Sequence, residues 1–177
     1  MQLTPGQNLI HPQHGPAVVL GVSQRTVKGN VVDYVSLEIC DTGLQVMVPV
    51  SKLEVVGIRN VAGRSMLDEL AGILTADSGQ IETQWARRYK AQRMEVASGD
   101  PMRIAAVVRD LLRRHEGKGM SQAERELMRE AAAPLVAEIA LAVDVTEGKA
   151  RSVLRSLILE GSTAVFDRLD ELEPIAA

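Results

Sequence analysis

Residues 44–74 read LQVMVPVSKLEVVGIRNVAGRSMLDELAGIL, and the spacing of the apolar side chains changes within this stretch. Residues 44–50 form a short apolar run typical of a strand, whereas residues 65–74 carry apolar side chains at helical spacing. The change falls after Gly57. It predicts an α+β protein in which a β-rich first part is followed by an all-helical second part.

The chain before Gly57 contains further short strands separated by turn-forming residues. The predicted strands are residues 9–11, 17–22, 31–40 and 44–50. No helix-length crossover lies between them, which excludes a parallel sheet. Strands this short and evenly spaced form a small barrel or a strongly bent sheet, and a Tudor-like or SH3-like barrel matches the size. We therefore assign residues 1–57 to one domain.

Three helix-start signals stand in the second part of the chain. Asp100 precedes Pro101, which suits an N-cap followed by a proline at the first helical position. Ser121 and Glu124 have the spacing of a capping box, and Thr146 suits a third N-cap. We therefore predict three helices that begin at these residues.

Apolar residues follow each signal at helical spacing, and we predict that they face one another in a bundle. The stripes comprise Ile104, Val107, Val108, Leu111, Leu112, Leu127, Met128, Ala131, Leu135, Ile139, Ala150, Val153, Leu154, Leu157 and Ile158. The helical domain is assigned to residues 58–161, with a linker helix at about 58–78. Residues 162–177 are predicted to form an acidic C-terminal extension.

Composition indicates a cytoplasmic protein. With 46% apolar and 24% charged residues, the chain is an average globular sequence. Its apolar runs fall far short of the roughly 20 residues that span a bilayer, so no membrane partner is expected. The single cysteine, Cys40, has no intramolecular disulfide partner and lies in an alternating apolar segment, which predicts a buried thiol in a reducing compartment.

Positive charge is concentrated in the middle of an acidic chain. The net charge is -3, but residues 85–129 hold 11 basic and 6 acidic side chains. A local basic region can contact nucleic acid in a salt-sensitive manner. The alternative is that these charges only solvate a helical face.

The only tryptophan heads the sequence WARRYK at residues 85–90. On a helix Trp85, Arg88 and Tyr89 share one side, and Arg87 and Lys90 lie together on an adjacent side. This arrangement places an aromatic wedge beside cationic side chains that can hold phosphates. The alternative is a tryptophan buried at a domain junction, with arginines that merely solvate the helix.

Little in the sequence supports an enzyme, a cofactor, a metal or a small-molecule substrate. His11 and His14 are three residues apart, but Pro12 and Gly15 place them in a turn, which is the favoured reading. Lys149 follows Gly148 without the other residues of a phosphate loop. Three carboxylates are expected to form exposed ion pairs: Glu124, Glu126 and Glu130.

A helix-turn-helix within residues 135–157 is an alternative DNA-binding element. The turn surrounds Asp144, and the second helix carries three cations: Lys149, Arg151 and Arg155. Such an element would make the chain a sequence-specific regulator. The surrounding segment is net acidic, however, and packing accounts for the same apolar residues.

Several motifs occur in order from about residue 3 to about residue 158: Gly6, Pro12-Gln13-His14-Gly15, Arg25-Thr26-Val27-Lys28-Gly29, Tyr34, Val48-Pro49, Trp85-Ala86-Arg87-Arg88-Tyr89-Lys90, Ala97-Ser98-Gly99-Asp100 and Val107-Val108-Arg109-Asp110-Leu111. With these motifs the chain resembles the CarD/CdnL family of bacterial RNA polymerase-binding transcription regulators. The tryptophan motif followed by Ser-Gly-Asp is the specific part of the resemblance.

The resemblance implies that the N-terminal Tudor-like module, shared with transcription-repair coupling factor, docks on the polymerase β subunit. A strand edge is placed against a sheet of the polymerase. By position, that edge would be lined by Arg25, Val27, Met47 and Pro49. Close relatives often carry an arginine where Met47 stands and an aromatic residue where His11 stands, so the strength of docking is left open.

The resemblance also implies that the helical module reaches promoter DNA at the upstream edge of the melted bubble. Trp85 would enter the minor groove, and the DNA backbone would be held by Arg87, Arg88, Lys90 and Arg125. Open-complex stabilisation would follow from the better fit of the wedge to distorted DNA. A protein-only adaptor with Trp85 buried is the remaining alternative.

Overall fold

The computed structural model describes residues 3–79 and 82–161. The chain divides at Val61 into two compact units, a sheet unit before this residue and a helical unit after it. The predicted α+β class is confirmed. The predicted extension at residues 162–177 lies outside the described residues.

The sheet unit is a five-stranded antiparallel sheet with the strand order β4-β3-β2-β1-β5. Each strand pairs with a neighbour in sequence except at β5, which pairs with β1. The strands are β1 (Asn8–His11), β2 (Gly15–Val27), β3 (Asn30–Ile39), β4 (Gln45–Pro49) and β5 (Arg59–Asn60).

The sheet does not close into a barrel, so the Tudor-like barrel prediction is confirmed only in part. In the described part of the sheet unit, β4 and β5 form its two edges and no ladder joins them. After β4 the chain makes a 3-10 turn at Val50–Lys52 and the short helix α1 (Leu53–Val56). It returns as a strand of only 2 residues, β5, which reaches β1 and goes no further.

Alternation along β3 defines the buried face of the sheet. Val35, Leu37 and Ile39 are buried, while the residues between them are partly exposed. A bulge between Val19 and Gly21 inserts one extra residue into β2, and the pairing with β3 continues beyond it. Cys40 lies just past the end of β3 and is exposed, so the predicted buried thiol is wrong.

Gly57 does not end the sheet unit. It is the left-handed C-cap of α1, with a φ of 87° that suits glycine. The chain then turns back to pair β5 with β1. The periodicity therefore changes at Gly57, but β5 still belongs to the sheet unit.

Over its described residues, the helical unit contains five helices: α2 (Arg64–Thr75), α3 (Trp85–Ala97), α4 (Pro101–Lys118), α5 (Gln122–Ala142) and α6 (Glu147–Glu160). The predicted N-caps are confirmed. The Asp100 carboxylate accepts from the backbone of α4, and Thr146 accepts from the Lys149 N–H. Ser121 and Glu124 form the complete capping box at the start of α5.

The apolar stripes of α4, α5 and α6 pack against one another, as predicted. Their residues form a main core and a smaller cluster of Val107, Leu111 and Leu127. Every stripe residue is buried except Met128, which is partly buried and packs against both. The helix predicted as a linker is α2, and it contributes Leu67, Leu70 and Leu74 to the main core. No helix within residues 3–79 and 82–161 has the length and apolarity needed to cross a bilayer.

Candidate nucleic-acid interface

Helix α3 begins at Trp85 and lies on the outside of the bundle. Among its residues only Arg88 is buried. The N-cap residue, Gln84, makes no side-chain cap, but its N–H donates to the Glu82 carboxylate at 2.9 Å. The helix therefore presents most of its surface outward and is anchored through few side chains.

The Trp85 indole is 46% exposed, which contradicts the alternative of a buried tryptophan. It stacks on Tyr89, one helical turn later, with ring centroids 5.4 Å apart and planes inclined by 9°. Residues four apart lie on the same side of a helix, as the sequence predicted for this pair. The stack braces one face of the indole and leaves the rest of the ring accessible.

Arg87 and Lys90 are exposed beside this stack. In the described parts of the chain, no carboxylate forms an ion pair with either of them. Met94 follows at helical spacing and is 64% exposed, which sequence reasoning missed. Met94 lies four residues after Lys90 and seven after Arg87, and this helical spacing could have identified it from the sequence. Arg87, Lys90 and Met94 together form a basic and apolar strip on α3.

Arg88 is an interior residue, only 4% exposed, although it is adjacent to Arg87. Its Nη2 donates to Glu124 Oε1 at 2.9 Å. Its Nη1 donates to the backbone carbonyls of Glu82 at 3.0 Å and Thr83 at 3.3 Å. The prediction that Arg88 holds the DNA backbone directly does not agree with this position, because the guanidinium is engaged inside the protein.

Glu124 is only 2% exposed, so its predicted exposed position is wrong. The carboxylate accepts from the Ser121 N–H at 3.0 Å, the Ser121 hydroxyl at 2.9 Å and Arg88. Burial alone raises the pKa of this carboxyl, but the hydrogen bonds from Ser121 and Arg88 outweigh burial and lower its pKa below the ordinary value. Glu124 therefore stays ionised as the counter-charge of Arg88.

Two arginines of α4 also point inward. Arg109 donates to the Ile73 carbonyl at 3.0 Å, and Arg113 donates to the Ala76 and Thr75 carbonyls at 2.6 and 3.2 Å. These carbonyls are at the C-terminal end of α2, where helices lack internal donors. Part of the basic stretch thus fixes the end of α2 and contributes little exposed charge.

An open cleft of about 490 Å³ adjoins the start of α3. Four cations and one carboxylate line it, and two of the cations, Arg88 and Arg114, are paired with the buried Glu124. Its lining consists of Ser78, Glu82, Thr83, Arg88, Arg113, Arg114, Gly117 and Lys118.

The last predicted DNA-binding residue, Arg125, lies at the start of α5. It is exposed and donates to the Met120 carbonyl at 2.8 Å.

The four residues predicted for polymerase docking lie on one face of the sheet, not along one edge. Arg25 and Val27 are on β2, while Met47 and Pro49 are on β4, and β3 lies between these strands. The register places all four on the side opposite the core, because Ser23 and Pro49 both pair with Tyr34. The structure therefore brings them to a shared outer surface.

The other sequence candidates remain apart from this site. The ring centroids of His11 and His14 lie 4.6 Å apart at the turn after β1, with planes inclined by 40°. The His11 Nδ1 accepts two backbone N–H bonds. No cluster that could hold a metal occurs in the parts of the chain that are described. In α6, the second helix of the helix-turn-helix alternative, Arg155 donates to Glu116 at 2.8 Å. The apolar side of α6 packs in the bundle core.

Comparison with known families agrees with this two-unit arrangement. Residues 3–62 match the family model described as "CarD-like/TRCF RID domain". Residues 69–155 match the model described as "CarD, C-terminal domain". The first match ends one residue past the structural division at Val61, and the second begins at residue 69, inside the helical unit.

A relative in Bacillus subtilis (strain 168) carries the description "Putative transcription factor YdeB". It is 24% identical over 147 residues, which covers 83% of this chain and 96% of the relative. The chain belongs to the CarD-like family. The predicted family resemblance is confirmed.

Proposed function

We propose that this protein is a transcription regulator that binds the RNA polymerase β subunit through its sheet unit and stabilises the promoter open complex through α3. It acts in the bacterial cytoplasm. Membership of the CarD-like family supports the link to transcription. The observation that carries the mechanism is the half-exposed Trp85 indole, braced by Tyr89 and flanked by Arg87 and Lys90.

Trp85 acts as a wedge in the minor groove at the upstream edge of the bubble. A ring that fits only distorted or unstacked DNA binds the open complex better than the closed one, and this difference shifts the equilibrium. Stacking of one base on an aromatic ring is worth about 1–3 kcal/mol, and about 1.4 kcal/mol changes a ratio tenfold. One indole is therefore sufficient in magnitude.

Arg87, Lys90 and Arg125 hold the DNA backbone beside the wedge. All three are exposed on the helices that carry or adjoin the Trp85 site. Phosphate contacts position a protein without reading sequence, so little promoter sequence preference is expected. Substituting Arg87 and Lys90 by glutamine should reduce the steepness of the salt dependence by about one counterion for each charge.

The outer face of the sheet unit supports a docking role. It offers Val27 and Met47 as exposed apolar side chains next to Arg25 and Pro49. In addition, β4 is an edge strand whose outer backbone groups can pair with a strand of the polymerase. Tethering through this unit raises the local concentration of α3 at promoters.

The test is the lifetime of the open complex after a competitor challenge, with wild type and Trp85→Ala. Loss of stacking should shorten the lifetime by roughly fivefold or more, while polymerase binding stays unchanged. Leu159→Ala, which removes an exposed apolar side chain from α6, is the matched control and should behave as wild type. Equal lifetimes for wild type and Trp85→Ala would exclude the wedge.

Binding to free DNA and footprinting of the polymerase complex separate the other interpretations. Binding to free DNA that depends on operator sequence would favour the helix-turn-helix alternative. Polymerase binding with no footprint on DNA would favour a protein-only adaptor. The exposed indole argues against the adaptor, because that reading needs Trp85 buried.

A further inference from the structure

We propose that Arg88 and Glu124 are a positioning pair that fixes where α3 begins and thereby sets the orientation of the Trp85 indole. The inference rests on the proposed function, because it gives the wedge its support. It concerns one residue of α3 and one of α5, both buried inside the helical unit. Neither residue is exposed enough to take part in binding directly.

The Arg88 guanidinium joins three parts of the helical unit. It belongs to α3, donates to the carbonyls of Glu82 and Thr83 just before the helix, and donates to Glu124 on α5. Trp85 stands between the two carbonyls and the arginine in sequence. The backbone on either side of the indole is thus tied to the same planar group.

Glu124 is itself held firmly. Its Oε2 accepts the Ser121 N–H and hydroxyl within the capping box, while Oε1 accepts from Arg88. The Arg114 Nε lies 3.6 Å from the same Oε1. One carboxylate therefore fixes the start of α5 and, through Arg88, the start of α3.

An exposed ring depends on its backbone for placement. The indole has nearly half of its surface in solvent and one ring neighbour, Tyr89, which is on the same helix. Tyr89 is partly buried and packs against Val107, Leu111 and Leu127, so it holds one face of the indole. The backbone that carries the ring is held by the Arg88 contacts.

A buried ion pair is weak evidence for stability, since apolar replacements are often equally stable. Its geometry, in contrast, is directional, because a guanidinium offers donors in a fixed planar fork. Lysine at this position would retain the charge, but its donors radiate from one nitrogen and could not take the places of Nη1 and Nη2. Arg88→Lys therefore separates the positioning role from charge compensation.

The first measurement uses the full chain and its single tryptophan. Near-ultraviolet circular dichroism reports the Trp85 and Tyr89 stack, and acrylamide quenching of fluorescence reports indole accessibility. The variants are Arg88→Lys and the double variant Arg88→Met with Glu124→Gln, which leaves no buried charge at the pair. Glu116→Gln, which breaks the exposed ion pair with Arg155, is the matched control.

We expect both test variants to retain the helical content of the wild type. The near-ultraviolet signal should fall and quenching should rise, while Glu116→Gln leaves both unchanged. Unchanged spectra and quenching in the two folded variants would overturn the proposal. If the double variant fails to fold, Arg88→Lys alone decides the outcome.

The second measurement is the open-complex lifetime with the same variants. We expect Arg88→Lys to shorten it by about fivefold, the low end of the stacking contribution. If Trp85→Ala has no effect on the lifetime, the proposed function fails, and the spectra still decide the positioning role. If Trp85→Ala shortens the lifetime and Arg88→Lys does not, the positioning role fails alone.

Discussion

The sheet unit and the helical unit expose their candidate contact residues in different ways. In the sheet unit, alternation along the strands sends Arg25, Val27, Met47 and Pro49 to one outer face. In the helical unit, the adjacent residues Arg87 and Arg88 have opposite environments, one exposed and one buried. The position of a residue along a strand is therefore sufficient to predict which face it lies on. For a basic residue on a helix, exposure can be predicted only when its long-range partners are known.

The largest expected effect sharpens the contrast between the two adjacent arginines. Arg88→Met leaves the Glu124 carboxylate buried without its counter-charge and should lower the free energy of unfolding by about 3 kcal/mol. Arg87→Met should change it by less than about 0.5 kcal/mol, as is usual at the surface. Urea unfolding followed by circular dichroism measures both. Similar losses for the two variants would remove the distinction between interior and exterior arginines.

A smaller effect tests whether local signals alone set the helical unit. Asp100 accepts the Met102 N–H at 2.9 Å at the start of α4. Asp100→Ala should therefore lower the free energy of unfolding by about 1 kcal/mol. Asp100→Asn retains the cap and serves as the control. The expectation fails if the alanine and asparagine variants unfold at the same urea concentration.

The smallest effect uses acid to separate the two units. Burial, together with the nearby His14, lowers the pKa of His11 below 6.5, and its Nδ1 must stay unprotonated to accept its two N–H bonds. This stabilisation is complete above pH 6.5 and is lost as pH falls through the lowered pKa. In the helical unit, the pKa of Glu124 is lowered, so the stabilisation from this carboxylate is lost only below pH 4.5.

Amide hydrogen exchange, corrected for its intrinsic pH dependence, measures the two units separately. Between pH 7.5 and 5, protection should fall in the strands around His11 and stay constant in α5. His11→Gln should remove the pH dependence of the sheet unit. Equal loss in both units over this range would contradict the assignment.

Most of the fold follows from local patterns. Helix starts at Asp100, Ser121 and Thr146 depend on side chains within three residues, and the apolar stripes depend only on helical spacing. Whether the barrel closes could not be predicted in this way. Closure would require pairing between β4 and β5, and the two-residue length of β5 depends on contacts throughout the sheet unit.

The candidate site was predictable to a similar extent. Spacing by four residues predicted that Trp85 and Tyr89 share one side of the helix, where the structure shows them stacked. The role of Arg88 was not predictable, because its counter-charge, Glu124, is 36 positions away and has the spacing of an ordinary capping residue. Local pattern cannot distinguish a carboxylate that only caps a helix from one that also neutralises a buried cation.

The two tasks of Glu124 restrict which sequences can occupy this fold. Glutamine retains the cap and loses the charge, and aspartate is shorter by one methylene and would not span Ser121 and Arg88 together. Positions 88, 121 and 124 should therefore covary among homologues. Arg87 and Lys90, which are free of such coupling, should tolerate exchange between arginine and lysine.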